Sequence, residues 1–238
     1  MPGCDNSDMK VYRQYCPVAK ATEILADRWT ILIVRELVGG MTQFNDIARG
    51  LPGIPRSTLS NRLKRLEAHG IVSRLASGPN AYRYELTEAG AALRDVVHAI
   101  GKWGVNWAFD SPQDEYLDPG LLLWRMQHRL NPEALPDERT VIAFDFRMGR
   151  KGRFWFVITA GEASVCLTDP GFETGLHVSA DLSTFWQVWL GRCSMRDAIA
   201  SEKVKLEGLP AHERAFPTWL LLSPMAQYNT GRKDNEAS

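Results

Sequence analysis

The cysteines of this chain form no disulfide framework that spacing would reveal. There are four in 238 residues, Cys4, Cys16, Cys166 and Cys193, and none belongs to a CxxC pair. Thiols so widely scattered suit a reducing compartment. A net charge is lacking too, because 28 Lys and Arg balance 28 Asp and Glu. That balance argues against a chain devoted along its whole length to nucleic acid. No apolar run approaches the ~20 residues of a membrane span. The opening MPGCDNSDMK is polar and lacks the apolar core of a signal peptide. We therefore expect a cytoplasmic protein with no membrane partner. Signatures of catalysis are missing as well: the sequence has no GxSxG, P-loop or GxGxxG, and His69, His98, His128, His177 and His212 never fall at a metal-ligand spacing such as HxxxH. The expectation is a non-enzyme without metal or cofactor.

What is there is unevenly distributed. Up to Ala108 there are 14 Lys and Arg against 10 Asp and Glu; after it the figures are 14 and 18. The first half is the half to examine for a nucleic-acid face. After a polar arm, Ala21, Ile24, Leu25, Trp29, Leu32, Ile33 and Leu37 recur at helical spacing, and Gly39–Gly40 ends the pattern. Asp27 divides this stretch into two helices. A short helix is predicted over Gln43–Arg49, with Phe44 and Ile47 facing inward, followed by the Gly- and Pro-rich turn GLPGIP.

The next stretch, IPRSTLSNRLKRLEAHGIVSRL, carries the chemistry. Leu59, Leu63 and Leu66 give an apolar stripe at i, i+4, i+7. Ser57, Asn61 and Lys64 point the opposite way, flanked by Ser60 and Arg65. After Gly70 the period changes to two, predicting strands over Ile71–Leu75 and Tyr82–Leu86 around the turn ASGPN. Thr87 then caps a long helix, Glu88–Trp107. A short helix, a tight turn, a second helix with a basic polar face and a hairpin make the order of a winged helix-turn-helix. An α-helix fits the major groove of DNA, ~12 Å wide. On the outward face Asn61 suits adenine, Arg56 guanine, and Ser57, Thr58 and Ser60 other base edges. Arg62, Lys64 and Arg65 suit phosphates. Arg74, Asn80 and Arg83 on the hairpin suit the backbone or the minor groove. The competing reading is an ordinary solvated helix, or a winged helix used for protein contacts.

Specific motifs sharpen the reading. Tyr15-Cys16-Pro17-Val18, Arg28-Trp29-Thr30, Phe44-Asn45, Leu51-Pro52-Gly53-Ile54, Leu59-Ser60-Asn61-Arg62-Leu63, Leu66-Glu67, Gly70-Ile71-Val72 and Tyr84-x-Leu86-Thr87-x-x-Gly90 resemble the HxlR family of bacterial transcriptional regulators. The resemblance covers residues 12–108 and implies a homodimeric DNA-binding repressor or activator. Pro55 departs from the pattern, in which a capping serine is expected, and this bears on where the recognition helix starts and on the role of Arg56. Surplus apolar surface also points to dimerisation, since so small a domain cannot easily cover both its first helical stripe and the one ending at Trp107; the alternative is that the second half of the chain covers it. Cys16, just before a helix that Pro17 starts, is a candidate thiol sensor, because a helix N-terminus favours the thiolate. The alternative is a buried, inert cysteine.

FDSPQDEYLDPG, Phe109–Gly120, is acidic and contains two prolines, and reads as a linker. Beyond it, helices are predicted over Leu121–Leu130, Leu182–Leu190, Met195–Ser201 and near Pro217–Leu222. Strands are predicted over Val141–Arg147, Arg153–Leu167 (broken near Gly161), Leu176–Ala180 and Val204–Leu206. Phe154, Trp155, Phe156, Phe185, Trp186, Trp189 and Trp219 give this half a heavy aromatic load, most of it core. The segment ADLSTFWQVWLGRCSMRDAIASEKVKLEG, Ala180–Gly208, resembles the C-terminal part of sterol-carrier-protein-like lipid-binding domains. That resemblance implies an α+β domain over 121–225 with a tunnel for a fatty or sterol-like molecule. Trp155, Phe185, Trp186 and Trp189 are the candidate lining, and 226–238 is expected to be a flexible tail.

The expected architecture is thus α+β: an N-terminal winged helix-turn-helix, mainly α with a β-hairpin wing, then an α+β domain with a mostly antiparallel sheet. The expected function is a transcriptional regulator that binds an inverted-repeat operator in double-stranded DNA as a homodimer, modulated by an apolar ligand. The rivals are a lipid or small-molecule carrier whose winged helix serves only dimerisation, and a redox-sensing regulator acting through Cys16.

Overall fold

The computed structural model describes residues 11–79, 81–108, 113, 116–147 and 152–229. They divide into two compact units at Ile100/Gly101. The first opens with α1 (Pro17–Leu25), where Pro17 occupies the first turn, the one place its missing N–H costs nothing. A turn through Asp27 leads to α2 (Thr30–Val38), and α3 (Phe44–Arg49) and α4 (Arg56–Ala68) follow. Strands β1 (Val72–Gly78) and β2 (Ala81–Leu86) pair antiparallel, and α5 runs from Glu88 to Trp107, across the division between the units. Ile33, Val34 and Leu37 of α2, Ile47 of α3, Leu59, Leu63 and Leu66 of α4, and Val97 of α5 close one core. The helical period of the sequence therefore built that core as expected.

Two devices fix the junction between hairpin and helices. The Thr87 hydroxyl accepts from Gly90 N–H at 3.1 Å and donates to the Gly70 carbonyl at 2.6 Å, so one side chain caps α5 and ties it to the end of α4. Gly90 lies where α5 crosses the start of β1, and a Cβ there would collide with the Ile71 carbonyl.

In the second unit, the Asp118 side chain caps α6 (Pro119–Gln127) by accepting from Leu121 N–H at 3.0 Å. Five strands follow: β3 (Thr140–Arg147), β4 (Arg153–Thr159), β5 (Glu162–Cys166), β6 (Leu176–Asp181) and β7 (Val204–Gly208), arranged β5-β4-β3-β6-β7. Only the β3–β6 pair is parallel. Helices α7 (Leu182–Trp189) and α8 (Met195–Ala200) join β6 to β7, and α9 (Pro210–Trp219) follows β7. Asp181 caps α7, accepting from Thr184 N–H at 2.8 Å and from its hydroxyl at 2.6 Å. Alternate residues of the strands, among them Ile142, Phe144, Phe154, Phe156, Ile158 and Val178, pack with Phe185, Phe216 and Trp219 in a second core.

Two expectations need correcting. The last helix spans Pro210–Trp219 rather than 217–222: Pro210 begins it, Pro217 lies inside its final turn, and Leu220 passes into an extended bridge with Leu130. The expected tail starts with structure, since Ala226–Tyr228 forms a 3-10 turn. Asn229 also donates to the Gly191 carbonyl at 3.1 Å. Residues 230–238, like half of the expected linker and Asn80, lie outside the described residues.

Candidate nucleic-acid interface

Helix α4 starts at Arg56 with Pro55 as its N-cap, and no side chain caps it. Pro55 has no hydroxyl to offer, and the end is secured otherwise. Arg56 donates to Asn45 Oδ1 of α3 at 2.8 Å and lies over the Phe44 ring, 4.9 Å from its centroid. Arg56, expected to reach a base, thus braces the two helices of the helix-turn-helix against each other while remaining exposed.

The buried side of α4 is Leu59, Leu63 and Leu66, each at most 1% exposed. At ~100° per residue, Ser57, Asn61 and Lys64 project from the other side, and all three are exposed. Thr58 and Ser60 are half-buried on the flanks. Arg62 and Arg65, expected to face phosphates, share the flank turned toward the α1–α2 turn. Arg62 Nη1 pairs with Asp27 Oδ2 at 2.9 Å. Arg65 also pairs with Asp27 and donates from Nη2 to the Glu23 carbonyl at 2.6 Å. Sequence reasoning took Asp27 only as a break between helices. Its partners lie 35 and 38 positions away, a separation that no local pattern displays.

On the hairpin, the Arg74 guanidinium lies 3.5 Å from the Tyr82 ring centroid. Arg83 pairs with Glu85 at 2.9 Å. Both arginines are exposed. Tyr84 N–H donates to the Thr42 carbonyl at 2.8 Å, which fixes the base of the wing to the segment leading into α3. Cys16 sits half-exposed as the N-cap of α1.

The proposed apolar lining of the second unit is not brought together. Phe185 is fully buried and packs edge-on to Phe144, centroids 6.1 Å apart. Trp155 faces away from that core, because its neighbours Phe154 and Phe156 take the inward positions of β4. Trp186 only borders the core. Trp189 alone of the four lines a cavity of about 400 Å3, shared with Met126, Cys193, Met195, Pro217 and Leu222. Burial pushes the Cys193 thiol up from its ordinary pKa, and the Asp197 carboxylate adds to this while Lys203 opposes it. The lining gave no signal in the sequence, because its residues gather from three separate segments, Met126, Val188–Met195 and Pro217–Leu222. Among the described residues no group of His, Cys, Asp and Glu is placed to hold a metal, and no helix is long and apolar enough to cross a membrane.

Three helices, an exposed polar face on the last and a two-stranded wing define a DNA-binding helix-turn-helix transcriptional regulator. Comparison with known proteins agrees. Residues 24–112 match the model of the HxlR-like helix-turn-helix family. The HTH-type transcriptional regulator YvaP of Bacillus subtilis strain 168 is 39% identical over 97 residues, 40% of this chain and 90% of YvaP. The chain belongs to the HxlR-like helix-turn-helix family. The regulator Mb3122 of Mycobacterium bovis is 41% identical over 102 residues, which are 42% of this chain and 58% of Mb3122. The solved structure of quinone-bound YodB from B. subtilis shares 34% identity over 39% of this chain and 99% of YodB, with a TM-score of 0.35.

Proposed function

We propose that this regulator binds an inverted-repeat operator as a homodimer, with one α4 in the major groove of each half-site. The observation that carries this reading is the exposed face of α4, where Ser57, Asn61 and Lys64 stand opposite the buried leucines. A hydrogen-bonding amide beside a small hydroxyl and a cation suits base edges and phosphates. Homodimerisation is supported by α5. Val96, Ile100, Trp103 and Trp107 recur at i, i+4, i+7, i+11 and are 39%, 51%, 61% and 65% exposed. Such a stripe on a monomer's longest helix suits pairing with a second copy. Selection of bound sites from random duplexes by the purified full chain, followed by footprinting, tests the reading. An inverted repeat with half-sites about one helical turn (~34 Å) apart is expected, and protection without two-fold symmetry would refute it.

A second reading adds an apolar ligand in the second unit, with a sterol-carrier-like role for that unit. The cavity beside Trp189 supports it: its lining is mostly thioether, aliphatic and aromatic, and its volume is within the range of small-molecule sites. A ligand there regulates only if it binds the DNA-competent and DNA-incompetent states with different affinity. Binding of a fluorescent fatty acid, lost in Met195→Trp, is the expected result. No saturable binding in the wild type would remove this reading and leave the first untouched.

A further inference from the structure

The turn between α1 and α2 grips the recognition helix through one carboxylate. Asp27 receives Arg62 at 2.9 Å and Arg65 as well, and Arg65 extends past it to the Glu23 carbonyl. That carbonyl belongs to the last turn of α1, where helix carbonyls lack intrahelical partners and carry partial negative charge. Two arginines of α4 are thus bolted to the end of α1. Their side chains are only 28% and 22% exposed, and the Nε of each is buried without a partner among the described residues. Holding guanidinium groups with part of their hydrogen-bonding capacity unmet is a poor way to gain stability. The turn itself is unusual. Trp29 has φ of 78°, a left-handed conformation that a bulky side chain adopts only when its surroundings over-determine it.

We infer that Asp27 is a positioning residue that limits sequence-independent affinity for DNA: it holds Arg62 and Arg65 against the α1–α2 turn and so withholds two cations of α4 from phosphate. This rests on the reading of α4 as the helix that enters DNA. Phosphate contacts raise affinity for every sequence alike, and each steepens the dependence of log K on log salt by roughly 0.9. Two more such contacts on α4 would strengthen binding to selected and random DNA alike, without changing what Asn61 reads. With the arginines held, Lys64 remains an exposed cation beside the base-reading side chains.

The test uses the full chain, the duplex recovered by selection and a random-sequence duplex of equal length, with affinities measured across salt concentrations. Asp27→Asn is expected to bind the selected and the random duplex more tightly alike, to steepen the salt slope by about one to two units, and to leave the ratio of selected to random affinity unchanged. Adding Arg62→Gln to Asp27→Asn should return about one unit of slope. A purely structural Asp27 would weaken both duplexes without steepening the slope. A wild-type slope in Asp27→Asn would overturn the inference. If that variant does not fold, Arg62→Gln alone decides: an unchanged slope supports the inference, and a slope flattened by about one unit shows Arg62 already on phosphate and overturns it. Failure of the wild type to bind either duplex removes the DNA reading itself, and the inference with it.

Discussion

Asn61 and Lys64 lie three positions apart on one exposed face, yet their chemistry predicts different losses. An amide can pair with adenine in two places, so Asn61→Ala should cost about 1–3 kcal/mol on the selected operator and relax preference at one base pair per half-site. Lys64 is a point charge suited to phosphate. Lys64→Ala should weaken binding to all sequences alike and flatten the salt slope by roughly 0.9. Equilibrium titrations on operator and single-substituted duplexes separate the two, and equal loss of specificity in both variants would show that Asn61 reads no base. The thiols diverge in the same way. Cys16 is half-exposed at the start of α1, whereas burial raises the pKa of Cys193. Peptide mapping after brief alkylation near neutral pH should find Cys16 modified well before Cys193. If Cys16 senses oxidants, Cys16→Ser abolishes the oxidant response of DNA binding; an unchanged response excludes it. At this scale the sequence displayed what a helical period can display: Asn61 and Lys64 opposite Leu59 and Leu63. It concealed the fate of Arg62 and Arg65, which depends on a carboxylate on another element, and that of Trp155, which depends on which phase of β4 faces the core.

Elements meet where their residues permit close approach. The start of α5 can cross β1 only because Gly90 has no side chain to strike the Ile71 carbonyl. Gly90→Ala should therefore destabilise the first unit by about 1–3 kcal/mol or more through overpacking, although alanine favours helices elsewhere. Chemical denaturation measures this, and a neutral effect would mean that α5 can shift without cost. Long periodic elements such as α4 and α5 were legible from their apolar spacing, as were strands bounded by glycine. Helix α9 was not. Its first turn, Pro210-Ala211-His212-Glu213, offers no apolar stripe, and its two buried anchors, Phe216 and Trp219, come late. Pro217 therefore drew the expected start toward the wrong end, because proline is most familiar in a first turn.

At the scale of the whole molecule, the exposed stripe on α5 makes operator binding a question of assembly. A single helix-turn-helix reads only a few base pairs, and two such readers joined in one dimer gain affinity by making the second contact intramolecular. Ile100 is near the middle of the stripe and half-exposed in the single chain, so a charge there should leave the fold intact while being forced into apolar surroundings in a pair. If α5 is the pairing surface, the wild type should sediment as a dimer and Ile100→Glu, at the same concentration, as a monomer. Its melting temperature should fall only as far as loss of the partner requires. Affinity for an isolated half-site should change little, while affinity for the full inverted repeat should fall on the order of 100-fold or more. A dimeric Ile100→Glu would show that α5 is not the pairing surface. A monomer that keeps wild-type affinity for the inverted repeat would show that the operator is read without pairing.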